Sequence, residues 1–99
     1  MDKDMQPVMT VKVDEEGDKY WRIDDKIHRT DGPAVEWADG TKEWAINGLN
    51  HRTDGPAMEW VSGKITWHLD GITLTFEEWL KQTTGLTEED KVMMKLQYG

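Results

Sequence analysis

His28 and His51 each head the same heptapeptide, His-Arg-Thr-Asp-Gly-Pro-Ala, repeated after 23 residues with all seven positions identical. A duplicated histidine invites acid–base or metal chemistry. The duplicated Arg29 and Arg52 invite capture of an anion such as a nucleotide phosphate, with Trp21 and Trp44 as neighbouring rings. Turn chemistry explains the same residues differently. Asp31 and Asp54 would accept backbone N–H groups, glycine would supply an unusual φ, and proline would fix the residue after it. Arg29 and Arg52 would then pair with those aspartates or with a carboxylate of the adjacent unit.

The third unit separates these chemistries for histidine. Trp21, Trp44 and Trp67 mark three successive units, and Leu74 stands where His28 and His51 stood. A position that takes His or Leu opposite Trp is a packing position. The histidines are expected to be structural, with no metal ligands, no catalytic residues and no cofactor. Nothing in the chain resembles a nucleophile elbow, a phosphate-binding glycine loop or a metal-ligand spacing.

The elements that hold these residues follow from the turns. A fixed short period denotes a supersecondary unit that buries its apolar face only by stacking on copies of itself. Asp39-Gly40 and Asn47-Gly48 are expected to form two-residue type I′ turns. They delimit strands near Ala34–Ala38, Thr41–Ile46 and Leu49–Arg52, and the pattern restarts at Ala57–Val61, Lys64–Leu69 and Ile72–Leu74. The preceding unit reads Lys19–Ile23, Asp24-Asp25, Lys26–Arg29. With those turns Val35 faces Trp44, Glu36 faces Glu43, Ile46 faces Leu49 and Trp44 faces His51. A two-residue turn at Glu16-Gly17 would point Val11 and Val13 away from Trp21. A three-residue loop with Gly17 left-handed restores the phase.

After Leu74 the period becomes helical. Thr75-Phe76-Glu77-Glu78 is a capping box, with Phe76, Trp79 and Leu80 at i, i+3 and i+4. Gln82-Thr83-Thr84-Gly85 ends that helix, and Thr87-Glu88-Glu89-Asp90 opens a second, in which Val92, Met93, Met94 and Leu96 are apolar. The expected fold is a mainly β single domain spanning residues 1–99. A loose tail occupies 1–7, an antiparallel meander of 23-residue hairpin repeats occupies 8–74, and two short helices at 75–99 cap the sheet.

Twenty acidic against twelve basic side chains give a formal charge of −8. That balance disfavours direct nucleic-acid binding and anionic membranes, and favours a positively charged protein surface as partner. Asp14, Glu15, Glu16, Asp18, Asp39, Glu36, Glu43 and Glu59 could form an acidic surface. It would serve either as a solvated face or as a docking face for a basic partner, including a groove that normally holds nucleic acid. Glu36, Glu43, Glu59, Asp39 and Trp37 are the candidate partner-binding residues. A Trp left uncovered at the uncapped end, Trp21 or Trp37, would mark a partner site or self-association. The chain contains no cysteine. That absence and the lack of a signal-peptide core suit the cytoplasm.

The run from Trp44 to Gly63, Trp-x-Ile-Asn-Gly-Leu-Asn-His-Arg-Thr-Asp-Gly-Pro-Ala-Met-Glu-Trp-x-x-Gly, resembles a family of small tailed-phage proteins with tandem His-Arg-x-Asp-Gly-Pro-Ala units. Leu74–Leu80 and Lys95–Gly99 resemble the tails of those proteins, so the likeness covers roughly residues 18–99. More loosely, the 23-residue unit is similar to the membrane occupation and recognition nexus repeat, which scaffolds and self-associates. Arg-Thr-Asp-Gly-Pro departs from that repeat's glycine-spaced residues, so its lipid binding does not transfer. The phage resemblance implies an accessory protein in the host cytoplasm that blocks a host protein, often an antiviral defence component. The expectation is therefore a non-enzymatic inhibitor acting through an acidic and aromatic surface. The alternatives are a nucleotide-messenger sponge using Arg29, Arg52, Trp21 and Trp44, and a self-assembling structural protein.

Overall fold

A computed structural model describes residues 8–99, and the tail expected at 1–7 lies outside them. The chain runs β1 (Met9–Val13), β2 (Lys19–Ile23), β3 (Lys26–Ile27), β4 (Val35–Glu36), β5 (Lys42–Glu43), β6 (Ala45–Ile46), β7 (Leu49–Asn50), β8 (Met58–Glu59), β9 (Ile65–Leu69), β10 (Ile72–Leu74), α1 (Phe76–Gln82) and α2 (Glu88–Tyr98). One antiparallel sheet follows the order β1-β2-β4-β5-β8-β9-β10, with β3 paired to β2, while β6 and β7 form a separate hairpin. The mainly β, hairpin-repeat fold with two C-terminal helices is the one the sequence predicts. Its strands are shorter than expected and break at Trp44.

Two kinds of turn alternate. Asp24-Asp25, Asn47-Gly48 and Asp70-Gly71 all have positive φ at both residues, the signature of a type I′ turn. Ile46 therefore pairs with Leu49, as predicted. The other loops end at Gly17, Gly40 and Gly63, which recur every 23 residues with φ of +91, +100 and +95. In each, only the glycine is left-handed, as in a three-residue loop closed by a bulge. Gly17 conforms to the expected phase, and Val11 pairs with Trp21.

Asp39-Gly40 does not form the expected two-residue turn. Trp37 N–H donates to the Thr41 carbonyl, and Gly40 N–H donates to the Trp37 carbonyl, enclosing Ala38, Asp39 and Gly40 as the loop. The extra residue shifts the register by one. Val35 pairs with Glu43 rather than Trp44, and Glu36 pairs with Lys42 rather than Glu43. A one-residue slip exchanges the two faces of a strand. Lys19, Glu36, Lys42 and Glu59 consequently form a row of alternating charge across four strands. Tyr20, Val35, Glu43 and Met58 form the adjacent row, on the other face of the sheet.

Side chains stitch consecutive units at both kinds of turn. His28 Nδ1 accepts from Asn47 N–H at 3.0 Å, and His51 Nδ1 accepts from Asp70 N–H at 2.9 Å. Asp18 Oδ1 accepts from Ala38 N–H at 2.7 Å, and Thr41 Oγ1 accepts from Val61 N–H at 3.1 Å. His28 and His51 thus each hold the first residue of the next type I′ turn, a structural role.

The main aromatic core lies at the C-terminal end. Trp67 packs on Phe76, Trp79 and Tyr98 with ring centroids 4.6–4.9 Å apart, joined by buried Leu80 and Met94. Both helices begin with complete capping boxes, at Thr75 and Thr87. Of the apolar residues predicted for α2, Met94 is buried, while Val92, Met93 and Leu96 are exposed. The helix docks through Met94 and Tyr98, four residues apart on one face, which leaves Val92, Met93 and Leu96 outside the contact. No helix among the described residues is long and apolar enough to cross a membrane.

Candidate functional site

The repeated heptapeptide builds two copies of one compact assembly. Arg29 lays its guanidinium over Trp21, 4.1 Å from the ring centre, and Arg52 lies over Trp44 at 3.7 Å. Arg52 Nε donates to Asp54 Oδ1 at 2.8 Å, and its Nη1 donates to the Pro56 carbonyl at 3.0 Å and to Glu59 Oε2 at 3.1 Å. Arg29 repeats the set on Asp31 and the Pro33 carbonyl, with Glu36 at 3.6 Å from Nη1. The hydrogen bond from Arg29 holds the Asp31 carboxyl below its ordinary range.

The remaining residue types follow from that arginine. Gly32 and Gly55 are not at positive φ, contrary to the turn expectation. They are small because the guanidinium crosses them. A Cβ on Gly32 would stand 2.9 Å from Arg29 Cζ, and one on Gly55 would stand 2.6 Å from Arg52 Cζ. Ala34 and Ala57 are fully buried and bond to flanking tryptophans. Trp21 N–H donates to the Ala34 carbonyl, and Trp44 N–H donates to the Ala57 carbonyl. Small residues there let the successive Trp rows approach.

A groove of about 580 Å³ opens between the two loops, lined by Arg29, Asp31, Trp44, His51, Arg52 and Asp54 among others. Its two guanidiniums are each held by an aspartate and a glutamate. Four carboxylates against two cations leave no net positive potential for a phosphate. Arg29, Arg52 and Trp44 line this groove, Trp21 does not, and each arginine is engaged in its own internal assembly with one tryptophan.

A second groove, about 480 Å³, lies on the opposite face. Trp37, Trp60, Met58 and Ala38 supply its apolar lining, and Glu16, Asp18 and Asp39 its acidic rim. Trp37 is braced edge-on by Tyr20, with ring centroids 6.0 Å apart and planes at 80°. Asp39 Oδ1 accepts the Thr41 N–H at 2.8 Å, which lowers the Asp39 pKa and keeps its charge. Asp14 Oδ1 accepts from both Glu16 and Asp18 N–H, setting the shape of the neighbouring acidic loop.

The predicted partner-binding set therefore divides. Trp37 and Asp39 meet in this groove. Glu36 and Glu59 lie on the other face, engaged by Arg29 and Arg52. Glu43 is half-buried between Val35 and Met58, and burial raises its pKa. Trp60 escaped the sequence-based site although it follows Trp37 by one period, and that period was the available signal.

Family models, curated proteins and solved structures offer no match to this chain.

Proposed function

We propose that this protein is a non-enzymatic binding module that occupies a basic surface of another protein and blocks it. The observation that carries this reading is the Trp37–Trp60 groove with Glu16, Asp18 and Asp39 on its rim. Aromatic floors supply buried contact area, and a charged rim steers the partner and sets register. The formal charge of −8 acts in the same direction at longer range. The resemblance of the tandem heptapeptide to small tailed-phage proteins extends the proposal to a host target, including a defence component, in the host cytoplasm.

Affinity capture from host lysate followed by titration of the purified partner tests the reading. Asp39→Lys should weaken that complex by roughly 1 kcal/mol, about fivefold, and flatten its salt dependence. Glu36→Lys, on the opposite face, should leave it unchanged. Equal losses from both reversals, or none from Asp39→Lys in a folded protein, would remove this groove as the contact.

Self-assembly is a second reading with its own observation. Among the described residues no strand pairs with the outer edge of β1, where Met9, Val11 and Val13 are exposed. Such edges template pairing with another chain. Light scattering that finds a monomer across the working concentration range would remove it.

A further inference from the structure

We propose that the groove between Trp37 and Trp60 receives an arginine side chain of the partner, its guanidinium flat on the Trp37 ring and its N–H groups on the acidic rim. This inference rests on the reading of that groove as the contact surface. The protein's own architecture supplies the chemical argument. Twice it builds a tryptophan ring, a guanidinium on the ring, and carboxylates on the guanidinium's N–H groups: Trp21 with Arg29, and Trp44 with Arg52.

The groove presents the same ring and carboxylates on the surface. Among the described residues, cations of the chain lie over Tyr20, Trp21, Trp44 and Trp60, and none lies over Trp37. Lys64 sits 5.5 Å from the centre of the Trp60 ring, so the second tryptophan already has a cation. Asp18 and Asp39 each use Oδ1 on a backbone N–H, from Ala38 and Thr41 respectively. Asp18 Oδ2 accepts no hydrogen bond among the described residues. Two anchored carboxylates beside an aromatic face suit a planar, forked cation better than a compact ammonium, because a guanidinium can stack and donate in two directions together.

The test uses the full chain and three uncharged-ended probe peptides, acetyl-Gly-Xaa-Gly-Xaa-Gly-amide, with Xaa arginine, lysine or citrulline. Binding is read from the indole N–H resonances of the six tryptophans. The arginine peptide should shift the Trp37 signal saturably, the lysine peptide should bind roughly fivefold more weakly, and citrulline should not bind. Asp39→Asn keeps an acceptor for Thr41 and should weaken the arginine peptide. Glu16→Gln, on an exposed side chain, gives a second variant without a folding risk, and unmoved Trp44 and Trp67 signals certify the fold. Equal binding of lysine and arginine peptides at this groove would overturn the arginine inference and leave the basic-partner reading standing. Absence of any response at Trp37 would overturn both.

Discussion

The guanidinium carbon of Arg52 lies 3.7 Å from the centre of the Trp44 ring, closer than Arg29 approaches Trp21 at 4.1 Å. The difference extends to the second carboxylate, since Arg52 reaches Glu59 at 3.1 Å and Arg29 reaches Glu36 at 3.6 Å. The two copies are identical in sequence over the heptapeptide but are held differently. Trp79 Nε1 donates to the Arg52 carbonyl at 2.9 Å, clamping the second copy beneath α1.

Arg52→Ala should therefore destabilise more than Arg29→Ala. Loss of the stack, three hydrogen bonds and the packed stem suggests about 2–3 kcal/mol for Arg52 and about 1–2 kcal/mol for Arg29. The exposed Asp54 and Asp31 contribute little of this, because solvent screens their pairs. Urea denaturation of the two variants checks the order, and equal losses would show that the shorter distances carry no energy.

Gly55→Ala should act through the same arginine. Its Cβ would lie 2.6 Å from Arg52 Cζ, so the guanidinium must leave Trp44, at about 2 kcal/mol. In an Arg52→Ala background the same substitution should cost well under half as much. Additive costs in this double-mutant cycle would place the strain in the backbone instead.

Much of this fold was legible in the order of residues, and the misses share a cause. A three-residue loop at Gly17 is what keeps Val11 and Val13 on the face of Trp21, and Val11 pairs with Trp21. At Asp39-Gly40 the dipeptide alone predicts a type I′ turn, without such a constraint from the flanking strands. An Asp-Gly pair also suits a bulged loop, which needs positive φ only at the glycine. That single residue moved Glu36 from Glu43 to Lys42 and dispersed the predicted acidic patch. The pairing of Arg29 and Arg52 with aspartates was also legible. Their stacking was not, because each arginine follows its tryptophan by eight positions and only the folded turn brings them together. In α2 the capping residues declared the helix, whereas the choice of Met94 over Leu96 as the buried side chain depends on the docking angle.

Trp79→Phe isolates the clamp from the core. Phenylalanine retains most of the apolar body against Trp67 but leaves the Arg52 carbonyl without its indole donor. An unsatisfied carbonyl at a packed site costs about 1–3 kcal/mol. Amide hydrogen exchange should show increased opening at residues 51–57 beyond any change in α2. Increased exchange confined to α2 would argue against the clamp.

Glu43 should lower stability at neutral pH. Burial raises its folded-state pKa above the ordinary glutamate value, so the folded chain holds the proton more tightly than the unfolded chain. Its contribution is most favourable below the unfolded pKa and is lost as pH rises through the folded one. Glu43→Gln should therefore melt higher than wild type at neutral pH, with the two converging near about pH 4. Solvent at this half-exposed position keeps the gain below about 1 kcal/mol. A Gln variant less stable at neutral pH would show that the carboxylate has a favourable partner.

Lys42→Glu tests the register directly. In the observed pairing Lys42 stands between Glu36 and Glu59 on neighbouring strands, so reversal creates three adjacent carboxylates in one row. Like charges directly opposite destabilise a sheet by a few tenths to about 1 kcal/mol per pair, which suggests a loss of about 1–2 kcal/mol here. Salt should restore part of it, since the side chain is exposed and screening acts within a Debye length. Had the Asp39-Gly40 turn held two residues, position 42 would face Trp37, and the reversal would cost little and respond weakly to salt. Thermal denaturation of Lys42→Glu and Lys42→Gln at low and high ionic strength separates the two registers. A salt-sensitive loss for Glu, with Gln intermediate, identifies the charged row that turns the acidic residues of this face inward onto the protein's own cations.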